Sequence, residues 1–283
     1  MIYGLVAALG FGVADFEGAL AGRRIGSLWT VMIGQTLSAV VATAVLLWSG
    51  RSLAPLSPVV VLVVLNGISA AIAYQTHYHA LELGPVAVVS PIGGAYAVIG
   101  VLLAVVFLHE RPGAVALLGV GVTVAGVMLV STDLRAFRAG LQGMARGVPW
   151  ALVSAVAFGV AGFLLGDLSQ RAGWIVGFWC SRVAQVACYI PLLFVARHRL
   201  PRIRDRRGVA VALFAGSVDI IGVIGLSVGA ARGYVSVTIA ASAVFPLVAV
   251  VLAFAILRER LVPNQLVGIG LVIAGLLMLG FGS

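Results

Sequence analysis

Residues 80–111 read ALELGPVAVVSPIGGAYAVIGVLLAVVFLHER, a long apolar run that ends on a compact group of ionisable side chains. Residues 229–260 read GAARGYVSVTIAASAVFPLVAVVLAFAILRER, so the pattern returns 149 residues later in a chain of 283. Gly84 and Gly233, near the heads of the two stretches, keep the same offset as the pairs that close them, Glu110–Arg111 and Glu259–Arg260. A phrase repeated over this length implies one structural unit used twice.

Composition says what kind of unit it is. Hydrophobic residues make up 62% of the chain and charged ones 10%, and the mean hydropathy is +1.17, far outside the range of soluble domains. A hydrocarbon core about 30 Å thick takes roughly 20 apolar helical residues to cross. The runs here are continuously apolar and lack the alternation of a barrel strand, so the expected fold is an all-α integral membrane protein. Breaking the chain at Pro, Gly and Arg clusters gives ten transmembrane helices, at roughly 2–21, 28–48, 58–83, 85–107, 112–131, 148–168, 173–196, 208–230, 234–257 and 262–281. The N-terminal run lacks a basic leader and a cleavage site, and reads as the first span.

All 18 basic residues are arginine. Most sit in short connections, where they meet lipid headgroups and set topology, so nucleic acid is not an expected partner. Thirteen arginines fall on the face opposite the termini and four on the terminal face, which by the positive-inside rule puts the termini outside. Cys180 and Cys188 are eight helical residues apart, about 12 Å, too far for a disulfide.

The echo extends beyond the opening stretch. FGVADF at 11–16 recurs as FGVAGF at 158–163, and Trp29 matches Trp174. The chain therefore divides into 1–131, a connecting loop 132–147, and 148–283, each half holding five spans. An odd number of spans makes the second half enter the membrane from the opposite side, giving two inverted five-helix repeats. That organisation puts a pathway between the halves and predicts alternating access.

With FLHER and ILRER closing the fourth span of each half, the chain resembles the EamA-type transporters of the drug/metabolite transporter superfamily, whose repeats end that span on a phrase like LGER. The resemblance implies ten spans in two repeats and export or exchange of amino acids, other metabolites or drugs, and it usually implies cytoplasmic termini, against the arginine count. The first span departs from the family's W-G pattern, with Phe11-Gly12 and then Asp15 and Glu17.

Polar groups inside spans carry the functional signal, because an ionisable side chain near the bilayer centre is costly unless it faces protein, water or a partner. Asp219 and Arg182 lie near the middle of consecutive spans and are expected to pair. The pair either fixes packing or lines a cavity, with Arg182 engaging a substrate carboxylate and Asp219 an amine or a proton. Asp15 sits just past the centre of span one. Glu17 lies about 200° round the helix from it and reads as a headgroup-level residue near Arg23 and Arg24. Asn66, Tyr74 and His77 recur at i, i+8 and i+11, one face of span three, and His77 is a candidate proton carrier. His79 and Glu82 read as interfacial, and no metal-ligand spacing is present. Tyr96 lies in span four, where Pro91 and Gly93-Gly94 predict a hinge near 91–94; Pro246 in span nine falls at a different offset, so the two breaks are expected to differ.

These residues predict a secondary transporter exporting a small metabolite such as an amino acid, with protons as the candidate coupling ion and no cofactor. The expected substrate pathway is Asp15, Asn66, Tyr74, His77, Tyr96, Arg182 and Asp219. Glu110, Arg111, Glu259 and Arg260 are expected to be symmetry marks at the interface, the glutamates pairing with arginines or capping the next helix. A facilitated exchanger or a drug efflux protein is the alternative within transport. An intramembrane enzyme would need a GxGD-type aspartate pair or a nucleophilic triad, and a receptor a signalling domain; GSVD at 216–219 supplies no such pair. The expected location is the cell membrane, the inner membrane of a bacterium.

Overall fold

The computed structural model describes residues 1–53, 58–84, 86–111, 113–131, 147–196, 205–257 and 263–281. The connection 132–146 and the expected marks Glu259 and Arg260 lie outside the described residues. The described residues form helices and no strand: α1 (Ile2–Ile25), α2 (Ser27–Ser49), α3 (Val60–Leu83), α4 (Val86–Gly94), α5 (Tyr96–Phe107), α6 (Ala114–Ser131), α7 (Val148–Ala172), α8 (Trp174–Ala196), α9 (Arg206–Arg232), α10 (Val235–Ser242), α11 (Phe245–Leu257) and α12 (Pro263–Phe281). By length and composition, α1, α2, α3, α7 and α9 can each cross a membrane, and shorter apolar helices accompany them.

Short linkers and matched backbone turns order the helices. Gly26 joins α1 to α2 at φ 84 and ψ 148, and Gly173 joins α7 to α8 at φ 83 and ψ 153. Only glycine adopts this region without steric cost, so each residue turns the chain back in a single step. Close by, Arg23 donates to the Gly84 carbonyl at 3.2 Å and Gln170 to the Gly233 carbonyl at 3.3 Å. The same kind of bond thus ties α1 to the end of α3 and α7 to the end of α9.

Helices from the two halves of the chain pack on each other. α1 lies against α9, α3 against α7, α2 against α8 and α6 against α12. Small residues permit the close approach: a Cβ added at Gly126 would fall 2.6 Å from the Val272 nitrogen, and one at Gly275 would fall 2.5 Å from the Thr123 nitrogen. The largest hydrophobic cluster sits between the halves, with Val101, Phe163, Val223 and Ile239 among its buried members. At one end Asp205 caps α9, accepting from the Arg207 and Gly208 N–H groups at 2.9 and 3.1 Å. The Gly208 N–H first, and then the Arg24 guanidinium, hold its carboxyl below the usual carboxylate range.

Two sequence expectations are corrected. The expected fourth span is two helices, broken at Ala95, and the ninth is also two, broken at Ala243–Val244. The Val98 N–H bonds to the Ala95 carbonyl at 3.1 Å, and the Leu247 N–H to Val244 at 2.9 Å, the same turn 149 residues on. The breaks therefore match, although their residues differ: Gly93-Gly94 precedes the first, while Pro246 lies in the first turn of the helix after the second, where its missing N–H costs nothing. The second correction is Glu110, which among the described residues neither pairs with an arginine nor caps the next helix. It is 8% exposed and caps α10, accepting from the Val235 N–H at 2.6 Å, the Ser236 N–H at 2.9 Å and the Ser236 hydroxyl at 2.5 Å. His109 turns the chain toward it at φ 53, while Arg111 is exposed.

Candidate functional site

A cavity of about 700 Å³, its open mouth included, lies among α1, α3, α5, α7, α8, α9 and α11. All seven residues expected to form the pathway line it: Asp15 from α1, Asn66, Tyr74 and His77 from α3, Tyr96 from α5, Arg182 from α8 and Asp219 from α9. Each is 6% exposed or less. The stripe on α3 arises as its spacing predicts, since the i, i+8 and i+11 positions stay on one face through three turns. Phe11, Phe158 and Phe245 supply aromatic wall.

Asp219 and Arg182 share a network in place of a tight ion pair. Their nearest oxygen and nitrogen are 3.8 Å apart, and the amide of Gln35 on α2 stands between them. Its carbonyl oxygen accepts from Arg182 at 2.6 Å and its nitrogen makes a long contact of 3.5 Å to Asp219. Tyr74 donates to the other Asp219 oxygen at 2.8 Å, and its ring centroid lies 5.3 Å from the Arg182 guanidinium carbon. Compensation of this kind is what lets opposite charges persist away from water. Gln35 is absent from the sequence expectation, and its signal was an amide in the middle of an apolar span.

A second cluster surrounds His77. Its Nε2 lies 2.5 Å from Asp15 Oδ1, and the Ser90 hydroxyl on α4 donates to Asp15 Oδ2. On the other side of the ring, Nδ1 lies 3.4 Å from Ser154 Oγ on α7, whose hydroxyl donates to the Ala151 carbonyl at 2.7 Å. With that hydroxyl proton committed, Ser154 presents a lone pair to Nδ1, so each ring nitrogen faces an acceptor. Gly93 makes the approach possible, because a Cβ there would fall 2.7 Å from His77 Cε1.

Tyr96 and Phe245 are the first residues of α5 and α11, directly after the two breaks, and their rings lie 6.3 Å apart. The Tyr96 hydroxyl is 2.5 Å from that of Ser242, the last residue of α10. Glu17, His79 and Glu82 are elsewhere. Glu17 is half-buried and belongs to the outer stripe of α1 with Leu9, Val13 and Leu20. Glu82 accepts from the Ser27 N–H at 3.1 Å, at the head of α2, and sits 3.5 Å from His79.

The sequence echoes give the lining a further property. At the offset relating FGVADF to FGVAGF, Asp15 corresponds to Gly162 and Ser154 to Ala7; at that of the opening stretches, His77 corresponds to Leu226 and Ser90 to Ile239. Gly162 and Leu226 also line the cavity. The polar cluster around His77 thus has an apolar counterpart across the cavity.

No curated protein matches this chain. Among solved structures, a crystal structure of another protein matches over 98% of this chain and 97% of its own, with 18% identity and a TM-score of 0.70, a likeness of fold. The model of the EamA-like transporter family matches residues 1–132 and 145–281. A chain whose described residues form helices and no strand, five of them long and apolar enough to cross a membrane, and which that family matches over nearly its whole length, is a multi-pass membrane protein that belongs to the EamA-like transporter family.

Proposed function

We propose that the chain is a secondary transporter that exports a small polar or amphipathic metabolite, such as an amino acid, across the inner membrane of a bacterium by alternating access. The observation that carries this reading is the gathering of the seven polar residues, from five helices, onto one cavity between the halves of the chain. Buried polar groups converging on one apolar-walled space are the usual mark of a solute site. The architecture proposed with it is ten spans in two inverted five-helix repeats, 1–131 and 148–283, joined by 132–147. Matched breaks, matched glycine linkers and the matched bonds from Arg23 and Gln170 support it. Broken helices meeting near the middle of a membrane are a recurrent way to build a solute site. The arginine count gives the proposed orientation, termini outside.

Protons are the proposed coupling ion, carried on the Asp15–His77 pair. Asp219 is the weaker candidate, because Tyr74, Gln35 and Arg182 already occupy it. A thermal-shift screen of amino acids and related metabolites on purified protein identifies the solute, and uptake into proteoliposomes tests movement. Proton coupling predicts uptake that follows an imposed pH gradient and becomes independent of it in Asp15→Asn and His77→Gln. Exchange of solute for solute with no response to the gradient makes the protein a facilitated exchanger instead.

A further inference from the structure

Charge and hydrogen-bond accounting in the cavity leaves a defined remainder. Arg182 and Asp219 cancel, and so do Asp15 and His77 with one proton shared between them. Both oxygens of each carboxylate already accept: Asp219 from Tyr74 and Gln35, Asp15 from Ser90 and His77. Of the nine buried side-chain atoms without a partner among the described residues, two belong to residues that line the cavity: the Arg182 Nε–H, a donor, and Asn66 Oδ1, an acceptor. Arg182 is 3% exposed and Asn66 1%, and both line the cavity. The Asn66 amide cannot simply rotate to use its oxygen elsewhere, because its nitrogen donates to the Ala161 carbonyl at 2.8 Å.

The two residues flank one crossing. A Cβ added at Gly67 would fall 2.6 Å from Ala184 Cβ, so α3 and α8 touch there, with Asn66 next to one contact residue and Arg182 two before the other. Buried polar groups are normally satisfied, and a donor and an acceptor left over beside one cavity call for a ligand that carries the complement.

On the transport reading above, the geometry points to Asn66 and Arg182 as the recognition subsite, and to a solute that is amphipathic and carries no net charge. The solute places an acceptor, such as a carboxylate oxygen, on the Arg182 Nε–H and a donor, such as an ammonium, on Asn66 Oδ1. Its apolar body lies against Phe158 and Phe245. A solute with net charge brings a charge that nothing in the cavity neutralises, and meets the full desolvation penalty.

The test uses L-leucine and L-phenylalanine, their amides, which are cations when protonated, and their deaminated acids, which are anions. Binding to the purified full chain is measured by thermal shift and by competition, at a pH where the amides are protonated. The zwitterions are expected to bind at least about tenfold more tightly than either charged analogue. Asn66→Asp, which adds an uncompensated carboxylate, is expected to lose about tenfold for the zwitterion and to gain for the amide. The inference is overturned if neither zwitterion binds, if a charged analogue binds as well as its zwitterion, or if folded Asn66→Asp keeps the wild-type selectivity. The wild-type series decides by itself should that variant not fold. Proteoliposome uptake separates this subsite from the transport reading: selective binding without uptake removes transport and keeps the subsite, whereas equal uptake of all three classes removes the subsite and keeps transport.

Discussion

His109 sits at φ 53, in the left-handed region where a side chain costs about 1–2 kcal/mol, and it does so to bring Glu110 onto the head of α10. The family phrase LGER has glycine at this position, which the backbone geometry explains. His109→Gly is accordingly expected to raise stability by about 0.5–1 kcal/mol, read as a higher Tm in detergent, with no change in solute binding. Glu110→Ala leaves the buried N–H groups of Val235 and Ser236 without their acceptor, at a cost of about 1–3 kcal/mol each, and lowers the Tm accordingly; an unchanged Tm would show the cap to be dispensable. Both residues were visible in the sequence as a repeated phrase, but the destination of Glu110 was not, because its partners lie 125 and 126 residues further on. The seven cavity residues were legible because each is a costly polar group in an apolar span. Ser90 and Ser154 were not legible as cluster members, since a helical hydroxyl can satisfy itself on its own backbone, as Ser154 does on Ala151, and so gives no signal in sequence.

At the scale of the element, membrane helices associate by close packing where glycine lets backbones touch. α2 and α9 cross at Gly34 and Gly216, and a Cβ on Gly216 would fall 2.6 Å from the Gly34 Cα. Gly216→Ala is expected to destabilise by about 1–3 kcal/mol through overpacking against backbone that has no rotamer to change. Gly121, exposed on α6 with nothing within 4 Å of an added Cβ, is the control: Gly121→Ala is expected to gain up to about 1 kcal/mol from helix propensity. Equal Tm changes for the two variants would contradict this account of the packing. The helices were legible from hydropathy and the hinge in span four from its glycines. The matching break in span nine was misjudged, because Pro246 marks the start of the new helix and not the end of the old one.

At the scale of the molecule, the two halves share their turns, breaks and end contacts, yet they line the cavity differently: Asp15, His77 and Ser90 of the first correspond to Gly162, Leu226 and Ile239 of the second, whose own charges there are Arg182 and Asp219. Gly84 and Gly233 keep the offset of the repeated phrases, and Gly26 and Gly173 turn the chain at nearly the same φ and ψ. The difference emerges only when cavity positions are paired across the fold. The central claim is that this cavity is the route of a transported solute, and its most direct test is uptake into proteoliposomes of the solute identified by the binding screen. Wild-type, Arg182→Gln and His77→Gln protein would be compared, each verified as folded and monodisperse. The account predicts saturable uptake by the wild type and a loss of about tenfold or more in both variants. Uptake at the wild-type rate in both variants, or no wild-type flux above empty liposomes for a solute the protein binds, would contradict it.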